Sequence, residues 1–357
     1  MNKEWSEKIK EIHNLISKKN TYAEGIIQLI EFRNELFGQI THIVKFYPEE
    51  AFSKMPFMNA KGYHSKSLAY SIWHIFRIED IVAHTLLKCD EQIFFKYDYK
   101  SKIGADIITT GNELQKDAIA SLSSKININE LYEYANLVRS TTNEIINDLD
   151  YQELHRKFDD NDKERLLATK CVSEDENAIW LIDYWCGKNV LGLLKMPFSR
   201  HWLVHIEAMQ RIKNKLCMLA RKGVDPIAYC GFSCNHCFLG QWCGSCRTEY
   251  NTCAFSTCFD DKICPNVACC KEKNIDGCYE CDELYNCTKG FYTPENSGSK
   301  DAKTQALFIK KYGRKNYLKI HDVLCSKYDF ETISEMFGKD VDEGLKILEE
   351  INEQINK

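Results

Sequence analysis

Thirteen of the chain's eighteen cysteines fall between Cys230 and Cys287, and they constrain the fold more than any other feature. The segment has little apolar periodicity, so no regular element is assigned to it. Three CxxC pairs stand out: Cys234/Cys237, Cys243/Cys246 and Cys278/Cys281. A CxxC turn lets two thiolates reach one ion while backbone N–H groups soften their charge, and two such pairs make a tetrahedral structural zinc site. With Cys230, Cys253, Cys258, Cys264, Cys269 and Cys287 the donors suffice for two or three ions, in a pairing that spacing does not fix. Cys269 and Cys270 are adjacent, which is awkward for a single ion; Cys269 is taken as a ligand and Cys270 as spare. His236 lies inside a CxxC and is not taken. Zinc is the expected metal. An iron–sulfur cluster is the alternative: the run CxxCxxCxxxC is absent, although clusters do not require it. A redox-active CxxC lacks a surrounding βαβ pattern.

The compartment decides between metal and disulfides. The N-terminus, MNKEWSEKIKEIHNLISKK, is charged and amphipathic, without the apolar core and cleavage site of a secretory signal. No window reaches the roughly eighteen apolar residues needed to span a bilayer. The expected location is therefore the cytoplasm, where thiols stay reduced and metal prevails over a disulfide knot. The net charge is −5 with no long basic run, so neither nucleic acid nor an anionic membrane is an expected partner. Within the cysteine-rich segment, Arg247, Lys262, Lys271 and Lys273 are offset by Asp260, Asp261, Asp276, Glu280, Asp282 and Glu283.

Helical periodicity fills the rest. Trp5, Ile9, Ile12 and Ile16 mark a first helix. Thr21–Glu24 has the form of a capping box opening a long helix through Ile26, Ile30, Leu36, Ile40 and Val44. Tyr47–His64 reads as a loop. Ser65 or Ser67 can cap a second long helix, LAYSIWHIFRIEDIVAHTLL, apolar on most sides. Residues 89–124 read as an excursion with a short helix near Glu113–Ala120. Asn127 or Asn129 starts a third long helix through Leu131, Tyr134, Val138, Thr142, Ile145 and Leu149. FDDNDKERLLATK reads as a short surface helix and DENAIWLIDYWCGKNVLGLL as packed aromatic chain. Met196–Cys217 reads as one amphipathic helix, with Ser199 as its cap. The expected domains are a four-helix bundle over 1–220, the cysteine-rich module over 228–290 and a helical segment over 300–357. Residues 218–229 and FYTPENSGSKD are read as linkers. In the last segment, ALFIKKYGRKNYLKIHDVL and VDEGLKILEEINEQI read as two helices. Val341, Leu345, Leu348, Ile351 and Ile355 share a stripe that covers the module or the bundle; a homodimer surface is the alternative.

His201 and His205 are four residues apart, so a helix stacks both imidazoles on one face within reach of one ion. His74 lies among Ile72, Trp73, Ile75 and Phe76, where a charged imidazole is costly to bury. A hydrogen-bonded core histidine is the ordinary reading of such a position. If the second and fourth long helices are neighbours, however, His74 faces the pair, and three neutral imidazoles with an open fourth position are the composition of a catalytic zinc or nickel site. His84 falls on another face, and His64 precedes the helix. Glu79 and Glu207 are candidate acceptors for imidazole N–H groups.

SIWHIFRIED, GNEL at Gly111–Leu114, WLIDYWCGKNVLGLLKMP and RHWLVHIEAMQRI occur in an order that resembles the DinB/YfiT-like superfamily over roughly residues 20–217. That resemblance implies a mainly α fold with a four-helix bundle, and His74, His201 and His205 as ligands of a divalent metal. It also implies a thiol-dependent S-transferase, in which the metal activates a low-molecular-weight thiol for attack on a small electrophile. Thiol and electrophile are then the expected small-molecule partners. Cys230-Gly231, Cys234, Cys237, CGSCR at Cys243–Arg247, and GCYEC at Gly277–Cys281 with Cys287 resemble a bacterial cysteine-rich domain family presumed to bind zinc, which implies no defined reaction. The competing expectation is a non-enzymatic metal-binding or stress-response protein whose cysteine-rich module contacts a partner or senses redox state or metal.

Overall fold

The protein is described from a computed structural model, which covers residues 2–235, 237, 243–250, 256, 258–259 and 263–357. Among these residues the chain is mainly helical, with two isolated β-bridges and no strand. It divides into two compact units, Met1–Lys213 and Asn214–Lys357.

In the first unit, α1 (Lys3–Ile16) is capped by Asn2, whose side chain accepts from the Trp5 N–H, and buries Ile9, Ile12 and Ile16. It packs on α2 (Tyr22–Phe46), which buries Ile26, Leu29, Phe32, Leu36, Ile40 and Ile43. The capping box expected at Thr21 is absent: its hydroxyl donates instead to the Leu15 carbonyl, closing the turn between the two helices. Ser67 caps α3 (Leu68–Asp80), accepting from the Tyr70 N–H at 2.9 Å, and every residue of this helix is buried. The chain continues as π-helical turns over Ile81–Lys88. The excursion that follows holds three short helices, α4 (Ile93–Lys96), α5 (Tyr99–Ile103) and α6 (Lys116–Lys125).

Asn127 caps α7 (Ile128–Asp148), which packs on α2 and α3. Next come α8 (Asp160–Ala168), opened by an Asp159/Asp162 capping box, α9 (Trp180–Cys186) and α10 (Val190–Lys195). α11 (His201–Ala220) follows a π-helical turn, Met196–Arg200. The single helix expected from Met196 is therefore re-phased before its first histidine. Ser199 is not its cap; its hydroxyl donates to the Leu194 carbonyl at 2.7 Å. The Phe37 ring marks where the long helices meet, touching Phe76 of α3, Tyr132 of α7 and Trp202 of α11.

In the second unit the cysteine-rich segment and the C-terminal helices share one core. α12 (Pro265–Glu272) is followed by α13 (Ser299–Tyr312), α14 (Arg314–Lys327), α15 (Phe330–Gly338) and α16 (Val341–Asn356). Ile227, Cys270, Cys278, Tyr279 and Tyr292 are buried with Ala306, Phe308, Tyr317, Phe337 and Leu348. Two corrections to the sequence reading follow. The residues read as linkers are anchored, Ile227 and Tyr292 by burial and Tyr292 also by its hydroxyl on the Cys230 carbonyl at 2.8 Å. The first C-terminal helix is two, because Gly313 takes φ +81°, a left-handed value that turns the chain, and α15 is an additional element. The stripe on α16 faces this core, with Leu348 fully buried and Leu345, Ile351 and Ile355 packed against it.

Asp301 lies inside this unit at 1 % exposure, accepting from Gln305 at 2.5 Å and Ser334 at 2.9 Å. Burial pushes its carboxyl up to about 6, against the two hydrogen bonds that favour the anion. A carboxyl whose folded pKa lies above its unfolded value stabilises the fold fully below the unfolded value, near 4, and that contribution is lost as pH rises through about 6. Asp301→Asn is expected to flatten this slope and to be more stable than wild type at pH 8, by ~2–3 kcal/mol at most. Urea unfolding at pH 4, 6 and 8 checks it; a variant less stable at pH 8 would reject the account.

Candidate metal centre

One face of α3 carries Tyr70, Trp73, His74 and Arg77, the i, i+3, i+4, i+7 positions of a helix. Each side chain ends in an N–H or O–H, and each is buried. Four successive carbonyls of the excursion receive them, with Arg77 at one end of the row and Tyr70 at the other. Arg77 donates to Ile108 O at 2.8 Å, Trp73 to Thr109 O at 3.1 Å, His74 Nδ1 to Thr110 O at 2.9 Å and Tyr70 to Gly111 O at 2.9 Å. A carbonyl only accepts, so Thr110 fixes the proton of His74 on Nδ1 and leaves the Nε2 lone pair free.

The other side of the site comes from α11. The His201 N–H reaches back five residues to Met196 O, so the turn before it is π-helical. Such a turn frees a carbonyl, and Arg33 of α2 donates to Phe198 O at 2.7 Å. Arg33 also makes a two-bond pair with Glu79 of α3, at 2.7 and 3.0 Å, and donates to Asn143 of α7 at 2.7 Å. One buried guanidinium thereby ties α2, α3 and α7 to the turn that launches His201.

The three imidazoles meet. His201 Nε2 is 3.2 Å from His74 Nε2, and one donor atom from each of His74, His201 and His205 lies within 4.8 Å of the others. Nitrogens at tetrahedral zinc distances are about 3.3 Å apart. Burial holds His74 down at about 4, with the Lys66 charge adding to it and the Thr110 bond opposing it. Burial first, then the neighbouring imidazoles, holds His201 and His205 well below the usual histidine range. All three are therefore neutral near pH 7, the protonation state a metal ion requires. His201 Nδ1 and His205 Nδ1 are buried without a hydrogen-bond partner. Three neutral imidazoles converging in apolar surroundings fit a divalent ion of the zinc or nickel class.

Two residues at the site were not anticipated. The Tyr63 ring lies 5.0 Å from that of His205 and is 53 % exposed, marking the solvent side. The Lys66 ammonium sits 5.2 Å from the Tyr70 ring, and burial lowers its pKa. Tyr63 comes from the segment read as a loop and Lys66 from between the two candidate caps, Ser65 and Ser67, where no period shows them. The anchor Thr110 was missed because it acts through its backbone.

Neither carboxylate expected to support an imidazole does so. Glu79 is fully buried but is taken by Arg33 and by Trp202, whose Nε1 donates to it at 2.7 Å. Glu207 lies on an outer face of α11 and accepts from the Asn2 N–H. His84 pairs with Asp90 at 2.6 Å, and His64 packs edge-on against Phe57.

Of the expected cysteine ligands, Cys253 lies outside the described residues. Among the described residues, Cys230, Cys234, Cys246, Cys258, Cys264, Cys269, Cys278, Cys281 and Cys287 form no disulfide, and Cys237 and Cys243 are half-buried. Burial pushes Cys234 up to about 11 and Cys246 up to about 12. Cys258 is exposed. Of the adjacent pair, Cys270 is 1 % exposed with its Sγ 3.7 Å from that of Cys278, whereas Cys269 is half-buried.

Gly111 allows the carbonyl ladder to form. Its φ is +77°, and a Cβ there would meet Tyr70 Cε2 at 3.0 Å. Gly111→Ala is expected to cost about 1–2 kcal/mol through the left-handed backbone alone. It should also loosen the Thr110–His74 bond, lowering metal affinity by about 10–100-fold, the usual cost of losing an imidazole's outer partner. Thermal unfolding and a chelator titration read the two effects separately; unchanged affinity would deny the ladder its positioning role.

Compared with protein-family models, with curated proteins and with solved structures, the chain matches none.

Proposed function

We propose that His74, His201 and His205 hold a divalent metal ion in a DinB-like four-helix bundle, and that the chain is a metal-dependent thiol S-transferase. The observation that carries the reading is the convergence of three neutral, buried imidazoles, one with its proton fixed on Nδ1 by a backbone carbonyl. A divalent ion held there would supply the charge that lets a thiol give up its proton to water near neutral pH, leaving a sulfur able to displace a leaving group, with its bonding electron pair, from an electrophilic carbon.

The chain's own residues do the rest. His74 is oriented by Thr110, and the π-helical turn sets the phase of His201 and His205. Tyr63 lies on the solvent side of His205, and Lys66 offers positive charge to an anionic group of the thiol or its acceptor. Burial of the imidazoles limits water at the reacting sulfur.

The test is conjugation of a low-molecular-weight thiol to a fluorogenic electrophile by zinc- or nickel-loaded protein. Turnover that is metal-dependent and absent in His201→Ala supports the reading. Full metal occupancy without conjugation, across thiols of differing charge, points instead to the non-enzymatic metal-binding protein.

A further inference from the structure

The cysteine-rich unit gathers a second group of candidate donors, independent of the three histidines, around one close pair of sulfurs. Cys270, Cys278, Cys281 and Cys287 line one cavity of about 510 Å³. They come from three local elements: Cys270 from α12, Cys278 and Cys281 from a CxxC whose first three residues form a 3₁₀ turn, and Cys287 from the loop beyond. The sulfurs of Cys270 and Cys278 are 3.7 Å apart and not bonded to each other. Two thiolates on one tetrahedral ion at the usual zinc–sulfur distance are about 3.8 Å apart.

N–H donors already point at these sulfurs. Asn266 Nδ2 donates to Cys278 Sγ at 3.5 Å, and Lys273 Nζ donates to Cys281 Sγ at 3.4 Å. A neutral thiol gains little from such donors, but a thiolate gains charge-assisted hydrogen bonds and an opposite charge. Cys269 also lines the cavity, but it sits about 100° around α12 from Cys270, so the two cannot both turn to one ion. Cys270 is the buried member and already touches Cys278.

We propose that Cys270, Cys278, Cys281 and Cys287 hold one thiophilic divalent ion of the zinc class as a tetrathiolate site. Each thiol releases its proton on binding. Cys270 and Cys278 already stand at ligand spacing, and Cys281 and Cys287, which line the same cavity, turn onto the ion by side-chain rotation. The ion then clamps α12 to the 278–287 segment, and α13 docks on the same segment, where Lys310 donates to the Cys281 carbonyl at 2.8 Å. The site has no open position, so its role is structural.

The experiment uses the full chain purified anaerobically. Elemental analysis is expected to find one zinc ion fewer per chain in Cys270→Ser and in Cys278→Ser, and the wild-type count in Cys269→Ser. Because Cys270 is buried, the wild-type protein provides a second readout that needs no variant. Iodoacetamide followed by peptide mapping should spare Cys270, Cys278, Cys281 and Cys287 until a chelator is added, while Cys258 and Cys269 react at once. A full zinc count in Cys270→Ser, loss of the ion in Cys269→Ser, alkylation of Cys270 and Cys278 in the metal-loaded chain, or iron with acid-labile sulfide at these cysteines would each overturn the assignment.

Discussion

His201→Ala is expected to strip the first unit of its metal ion. Removing a ligand should cost more than the ~10–100-fold that an outer partner contributes. The effect extends to stability. A ligand that binds only the folded state at ~1,000 times its dissociation constant adds about 4 kcal/mol, and that increment disappears with the site. Wild-type protein should therefore melt at a lower temperature when a chelator is added, while the first unit of His201→Ala should melt alike with and without it. The residue is 8 % exposed and its ring meets both other imidazoles, so alanine also leaves a small void. His205→Ala and His74→Ala should match it in metal loss. If His74→Ala binds the ion at full stoichiometry, the three-histidine assignment is wrong.

Arg33→Met is expected to have the largest effect on stability of any change outside the site, on the order of 3–5 kcal/mol. Arg33 and Glu79 are fully buried, and each satisfies the other through two hydrogen bonds. Removing the guanidinium leaves a buried carboxylate held, among the described residues, by Trp202, and it takes the side-chain donor from the Phe198 carbonyl of the π-helical turn. Desolvation of an unpaired charge is what makes such single substitutions costly. The double variant Arg33→Met/Glu79→Leu should recover much of that loss, since it removes both charges together. Urea denaturation of the two singles and the double gives the coupling. A cost for Arg33→Met of about 1 kcal/mol or less, the value of an exposed pair, would show that the network is not holding the helices. Metal affinity should fall with it, because Arg33 positions the turn before His201.

The helices were legible where one face is buried and the other is not. Ile9, Ile12 and Ile16 declare α1, and the caps are legible to within two residues: Ser67 takes the role offered to Ser65 or Ser67, and Asn127 that offered to Asn127 or Asn129. The three histidines could be named because i, i+4 spacing and an apolar context are local properties. What was not legible depends on partners far along the chain. Ser199 has the right chemistry for a cap, yet the π-helical turn gives its hydroxyl the Leu194 carbonyl instead. Glu79 was assigned to an imidazole because it is close in sequence; in space Arg33, 46 residues away, takes it. Polar FYTPENSGSKD reads as a linker by composition, and the burial of Tyr292, Ser299 and Asp301 overrules that. Cys269 and Cys270 are equivalent as letters and differ only in which faces the core of the second unit.

The ladder of carbonyls over α3 has a consequence for how such a site can change over time. A carbonyl oxygen has no codon of its own. Thr110 can be exchanged for another residue that keeps the same backbone path, and His74 keeps its anchor. The inheritance of this anchor is therefore one of chain trajectory rather than of residue identity, with Gly111 as the letter on which the trajectory depends. Two chains could share the site while agreeing at few positions of the excursion, and a search by matching residues would pass over what holds the imidazole in place.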